Sequence, residues 1–169
     1  MATPENMLRV ANIVKSSLPH NDRIIVVLSA LGGITNQLIA GGRLAVQGDE
    51  SYTDLLQELT DRHTHFIKVA IPIQRQSAVL TKIREICNEI EDICKGVFLV
   101  RELTAHSLDR ICSYGEKLST TIFAEMLSAM EIANSWYDAT RIIKTNSDFG
   151  NAAVDMEATA KNLESLLHN

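Results

Sequence analysis

Ile24-Ile25-Val26-Val27-Leu28-Ser29-Ala30-Leu31-Gly32-Gly33-Ile34-Thr35-Asn36 opens with an unbroken apolar run and then breaks at paired glycines. A run rich in β-branched residues suits a strand covered on both faces, and hence a parallel sheet between helix layers. Beyond the glycines, Leu38, Ile39 and Leu44 form a helical apolar pattern that ends near Gly48. The unit therefore predicts strand, glycine turn and helix, and an α/β fold class. Its turn lies at the carboxyl end of the expected strand, where open α/β sheets hold their ligands. Gly32 and Gly33 let backbone approach a ligand closely, and the free N–H groups and positive dipole end of the next helix favour a carboxylate or phosphate. Ser29 and Thr35 add hydroxyl donors. An ordinary βα connection also uses glycine for its turn and threonine for its cap, so the local pattern leaves both readings open. It is neither a Walker loop nor a dinucleotide fingerprint, and nucleotide binding does not follow from it.

Upstream, Thr3 reads as an N-cap because Pro4 and Glu5 follow it. Met7, Val10, Ala11 and Val14 give that first helix one apolar stripe, to about Ser16. A turn through Pro19, His20, Asn21 and Asp22 then leads to the strand. Downstream, residues 52–94 carry two helical patterns divided at Pro72. The first holds Leu55, Leu56, Leu59, Phe66 and Ile67, and the second Val79, Leu80, Ile83, Ile86, Cys87 and Ile90. They predict a helical excursion, over about residues 52–106, inserted between sheet elements.

Ser113-Tyr114-Gly115-Glu116-Lys117-Leu118-Ser119 is expected at the start of a further helix, whose Leu118, Ile122, Met126 and Met130 recur every four residues. Glu116 is placed to hold a substrate ammonium group, or else is an acidic residue favoured in a first turn by the helix dipole. Residues 135–138 and 141–144 read as short strands, 145–150 as a polar loop, and about 155–167 as a last helix. Asp148 and Asp155 fit turn and cap positions there. His63 and His65 are two apart and share no helix face, so they make a poor metal pair, and His20, His106 and His168 lack any partner pattern.

The net charge of −5, with no Lys/Arg run, argues against nucleic acid and anionic membranes as partners. No apolar stretch approaches the roughly 20 residues of a membrane span, and no signal peptide is visible. Cys87, Cys94 and Cys112 stand at no zinc-like spacing and read as reduced thiols of a cytoplasmic protein. The length suits one domain, residues 1–169, able to bury its own core.

Taken in order, these motifs resemble the N-terminal part of aspartate kinases. Residues 3–14 look like the helix after that family's opening strand-turn, and Val26-Val27-Leu28-Ser29-Ala30 through Ile34-Thr35-Asn36 looks like its second strand and substrate turn. Residues 113–119 are similar to its Ser-x-Gly-Glu-x-x-Ser helix start. Trp136-Tyr137-Asp138 and Thr145-Asn146-Ser147-Asp148-Phe149-Gly150-Asn151-Ala152 resemble the segment that follows.

The resemblance implies an amino-acid kinase (carbamate kinase-like) fold of three layers, α/β/α, here partial and helix-rich. It implies the reaction of ATP with L-aspartate to give 4-phospho-L-aspartate, with ATP and Mg2+ used by the parent enzyme and neither expected on this chain. Ser29, Ala30 and Thr35 would line the aspartate site and Glu116 would engage the ammonium group, while Gly32, Gly33, Ser113 and Gly115 shape the turns. The family's opening Lys-Phe-Gly-Gly-Thr-Ser motif is missing, and its nucleotide-binding lobe is expected beyond Asn169. The expectation is therefore a catalytically inactive fragment, with no catalytic residue of its own and no metal site, that self-associates through the edge left by the missing first strand or else rearranges its helices over that gap. The alternatives are a stand-alone amino-acid-binding or interaction module, and a kinase of glutamate or a carbamate.

Overall fold

The computed structural model describes residues 3–21 and 23–167. Asp22, assigned to the first turn, and His168 lie outside them. Helix α1, Pro4–Ser17, starts where Thr3 Oγ1 accepts the Asn6 N–H at 3.3 Å, and it buries Met7, Ala11 and Val14. A 3-10 turn, Leu18–His20, follows. Helix α2, Ile34–Gln47, runs between two left-handed glycines, Gly33 at φ 86° and Gly48 at φ 74°. Helices α3, Tyr52–Ala70, and α4, Ile73–Val100, are the two arms of the helical excursion. Pro72 divides them because it has no N–H to continue α3, while a helix start tolerates it. Helix α5, Ala105–Ala129, is followed by the short α6, Ala139–Ile142, and by α7, Met156–Leu167.

Helices α2, α3, α4 and α5 pack on one another, and α1 lies against α3 and α5. Ile34, Leu38, Ile67, Ile83, Ile111 and Leu118 are among the fully buried side chains of this core. These are the apolar positions of each helix at spacings of three and four, which is why the sequence periodicity finds most of them.

The expected sheet is not formed among the described residues, so the three-layer α/β/α arrangement is not seen. Residues 24–28 make no backbone hydrogen bond to another described residue, and a strand exists only by pairing. Their burial nevertheless alternates. Ile24, Val26 and Leu28 pack against the helices, whereas Ile25 and Val27 are 77% and 88% exposed. Residues 135–138 likewise form no strand pairing with another described residue. Of residues 141–144 none is a strand; 141 and 142 fall in α6, which Asp138 caps, its Oδ1 accepting the Thr140 N–H at 3.0 Å. An isolated bridge between Thr145 and Val154 closes the polar loop. Asp155 Oδ1 accepts the Ala158 N–H at 2.9 Å at the head of α7.

The start of α5 also needs correcting. Thr104 Oγ1 accepts the Ser107 N–H at 3.0 Å and begins the helix well before Ser113. Ser113, Gly115 and Glu116 therefore lie inside a long helix. Ser113 bonds only within it, to the Arg110 carbonyl at 2.7 Å, and shapes no turn.

Candidate functional site

The glycine turn meets the middle of α5. Ala30 N–H donates to Glu116 Oε1 at 3.2 Å, and Ser119 Oγ donates to the Ser29 carbonyl at 2.9 Å. Gly115 permits this approach, since a Cβ placed there would stand 2.8 Å from the Ala30 Cβ. Its role is close contact between two elements rather than a turn. Glu116 sits about three turns from the start of α5, and a dipole acts only within the first. Helix-start preference therefore does not account for this carboxylate, and its position against the turn does.

On the other side of the turn, Gly33 is left-handed and the first helical bond of α2 is Gln37 N–H to the Gly33 carbonyl, at 3.1 Å. The N–H groups of Gly33, Thr35 and Asn36 have no backbone acceptor among the described residues. The half-buried Thr35 has no side-chain partner there either. Glu116 uses one carboxylate oxygen on Ala30, and no described donor reaches the other. The structure thus brings together Ser29, Ala30, Gly115 and Glu116, with Gly32, Gly33 and Thr35 on the same short turn. The result is an acceptor with negative charge close to a cluster of unpaired donors.

Two residues outside the sequence-derived site complete it. Ser119, read only as the end of a motif, is fully buried and ties α5 to the turn. Arg62, from α3, donates through Nη2 to the Gly32 carbonyl at 2.6 Å. No local pattern announces Arg62, because the contact crosses elements.

Next to Glu116, the Tyr114 hydroxyl and Lys117 Nζ donate to Glu89 Oε2 of α4, at 2.9 and 3.2 Å. Burial works to raise the Glu89 carboxyl. The Tyr114 and Lys117 bonds and the Lys117 charge outweigh it and hold the group below its ordinary value. Burial, and then the bond to Glu89, push the Tyr114 hydroxyl up. This clasp fixes α5 against α4 and so helps set the position of Glu116.

Among the described residues no group of three or more His, Cys, Asp or Glu could hold a metal ion. The cysteines are free, and burial raises the Cys87 and Cys94 thiols, the latter to about 11. No described helix is long and apolar enough to cross a membrane.

The chain belongs to the amino acid kinase family, which it matches over residues 1–169. Within that family it is similar to aspartokinases. It is 36% identical over 160 residues to aspartokinase 3, chloroplastic, of Arabidopsis thaliana, covering 94% of this chain and 28% of that protein. It is 32% identical over 163 residues to lysine-sensitive aspartokinase 3 of Escherichia coli K12, covering 92% of this chain and 32% of that protein. Its structure superposes on crystalline E. coli aspartokinase III in complex with lysine and aspartate at a TM-score of 0.84 and 26% identity, covering 99% of this chain and 35% of that one. The complex of the same enzyme with aspartate and ADP gives 0.83 at 25% identity, covering 98% of this chain and 35% of that one. The chain thus spans about a third or less of these relatives' length.

Proposed function

We propose that these residues form the aspartate-binding part of an aspartate kinase. The observation that carries this reading is the bond from Ala30 N–H to Glu116 Oε1, which sets a carboxylate beside the unpaired N–H groups of the α2 start. Such a pair suits a small zwitterion. The open oxygen of Glu116 accepts the ammonium group, and the amides of Gly33, Thr35 and Asn36 with the Thr35 hydroxyl take a carboxylate at the positive end of the helix. Ser29 and Ala30 line the floor between them, and Gly32 and Gly33 give the ligand room to approach the backbone.

In the parent enzyme, an oxygen of the aspartate side-chain carboxylate attacks the γ-phosphorus of ATP. The bond from that phosphorus to the β–γ bridging oxygen breaks, giving 4-phospho-L-aspartate and ADP. Transfer of this kind relies on positioning and on charge neutralisation around the moving phosphoryl. The contribution of this chain is positioning of the acceptor. ATP and Mg2+ are proposed to engage other residues of the longer protein. In that protein a neighbouring strand pairs with residues 24–28 and completes the α/β/α layers. The buried, unpaired thiols suit a reducing compartment, and we place the protein in the cytoplasm on that ground.

Calorimetric titration with L-aspartate, L-glutamate and a carbamate tests the reading. Saturable binding of L-aspartate, weakened at least tenfold for glutamate, is expected; each extra methylene that fails to fit costs about 1–3 kcal/mol. Preference for glutamate or carbamate would remove the assignment.

A further inference from the structure

Arg62 projects from the middle of α3 across a gap of 30 residues in sequence to the Gly32 carbonyl. That oxygen is the one that would accept the Asn36 N–H if α2 began one residue earlier. The carbonyl is held by the guanidinium, and helical bonding starts at Gln37, after the left-handed Gly33. The peptide between Gly32 and Gly33 is trans, as are all described peptide bonds, so its N–H points opposite to its C=O. Anchoring the carbonyl to α3 consequently aims the Gly33 N–H away from α3. A Cβ on Gly33 would lie 3.7 Å from Arg62 Nη1, which shows how closely the guanidinium covers that side of the turn.

We propose that Arg62 is a positioning residue. By holding the Gly32 carbonyl it orients the Gly33 N–H and leaves the Asn36 N–H unspent, so that both can bind a substrate carboxylate. The inference rests on the aspartate reading of the site and adds a residue that does not itself touch the ligand. The planar fork of arginine matters here. One N–H is committed to the carbonyl in fixed geometry, which a lysine ammonium reproduces only as a point charge.

Arg62→Met and Arg62→Lys in the 15N-labelled chain test this. Arg62 is exposed, so its removal leaves the core intact. In the ligand-free Arg62→Met protein the amide resonances of Gly33 and Asn36 move, and Arg62→Lys returns them part of the way. Titrated with L-aspartate and with succinate, Arg62→Met binds each about tenfold more weakly, because the two amides are no longer pre-oriented for the carboxylate. Glu116→Gln is penalised with L-aspartate alone, because succinate has no ammonium group. An unmoved Gly33 amide, or wild-type affinity for both ligands, overturns the positioning role. So does a loss confined to L-aspartate, which would place the effect on the Glu116 side. If Arg62→Met melts early, the Lys variant decides the case by the same amide shifts. A wild-type chain that binds neither ligand overturns the aspartate reading, and this inference with it.

Discussion

Replacing Gly115 by alanine separates packing at the site from every other effect of the same substitution, provided Gly96→Ala is made beside it. Both glycines lie inside long helices, α5 and α4. Each change should therefore gain the roughly 0.5–1 kcal/mol by which alanine exceeds glycine in a helix interior. They differ in what the new methyl meets. At Gly96 there is nothing within 4 Å. At Gly115 the methyl would stand 2.8 Å from the Ala30 Cβ, 3.5 Å from Leu38 Cδ1 and 3.6 Å from Ile34 Cγ2. Carbon atoms rest at about 3.5–4.0 Å, so the turn must retreat from α5 by roughly 1 Å. Neither Cβ can rotate away, since both are fixed to backbone. Overpacking of this kind costs about 1–3 kcal/mol. At about 2–4 °C per kcal/mol for a chain of this size, Gly115→Ala should melt about 2–12 °C below Gly96→Ala in circular dichroism at 222 nm. The same retreat stretches the Ala30 to Glu116 bond, so L-aspartate affinity should fall as well. Equal melting temperatures for the two variants would refute the close approach.

His63 is buried, its Nδ1 2.7 Å from the Leu59 carbonyl, and its Nε2 has no partner among the described residues. Burial, with the nearby Arg62 charge, lowers its pKa from 6.5, against the opposing bond to Leu59. The unfolded chain thus takes up this proton more readily, and stability should fall as the pH drops from about 6.5 towards the folded value. His63→Leu should remove that acid limb, whatever its effect at neutral pH; denaturant curves between pH 5 and 8 that run parallel for the two proteins would contradict this. The segment with exposed Ile25 and Val27, unpaired among the described residues, is an open edge of the kind that pairs with another chain. Sedimentation should show concentration-dependent self-association that Val27→Lys reduces, and a compact monomer at all concentrations would count against it.

Much of the helical framework was readable because each helix buries one face. Met7, Ala11 and Val14 reveal α1, Gly48 stops α2, and Pro72 divides the excursion. Residues 24–28 misled for a physical reason. All five are apolar, so the sequence carries no sign that alternate side chains face outward, nor that no pairing partner lies among the described residues. The start of α5 was misplaced because Ser113 and Gly115 look like helix-breaking residues. Gly115 is tolerated there because it allows contact with Ala30, a reason that only three-dimensional packing reveals. At the site, glycines followed by Thr35 and an isolated glutamate were visible as chemistry. Arg62 was not, since its contact with Gly32 depends on how α3 packs against the turn.

The most direct measurement is an L-aspartate titration followed by 15N–1H correlation spectra of the wild-type chain. The amides of Ala30, Gly33, Thr35 and Glu116 should shift together and fit a single dissociation constant. Saturable shifts that map elsewhere, with Ala30 and Gly33 unmoved, would contradict it.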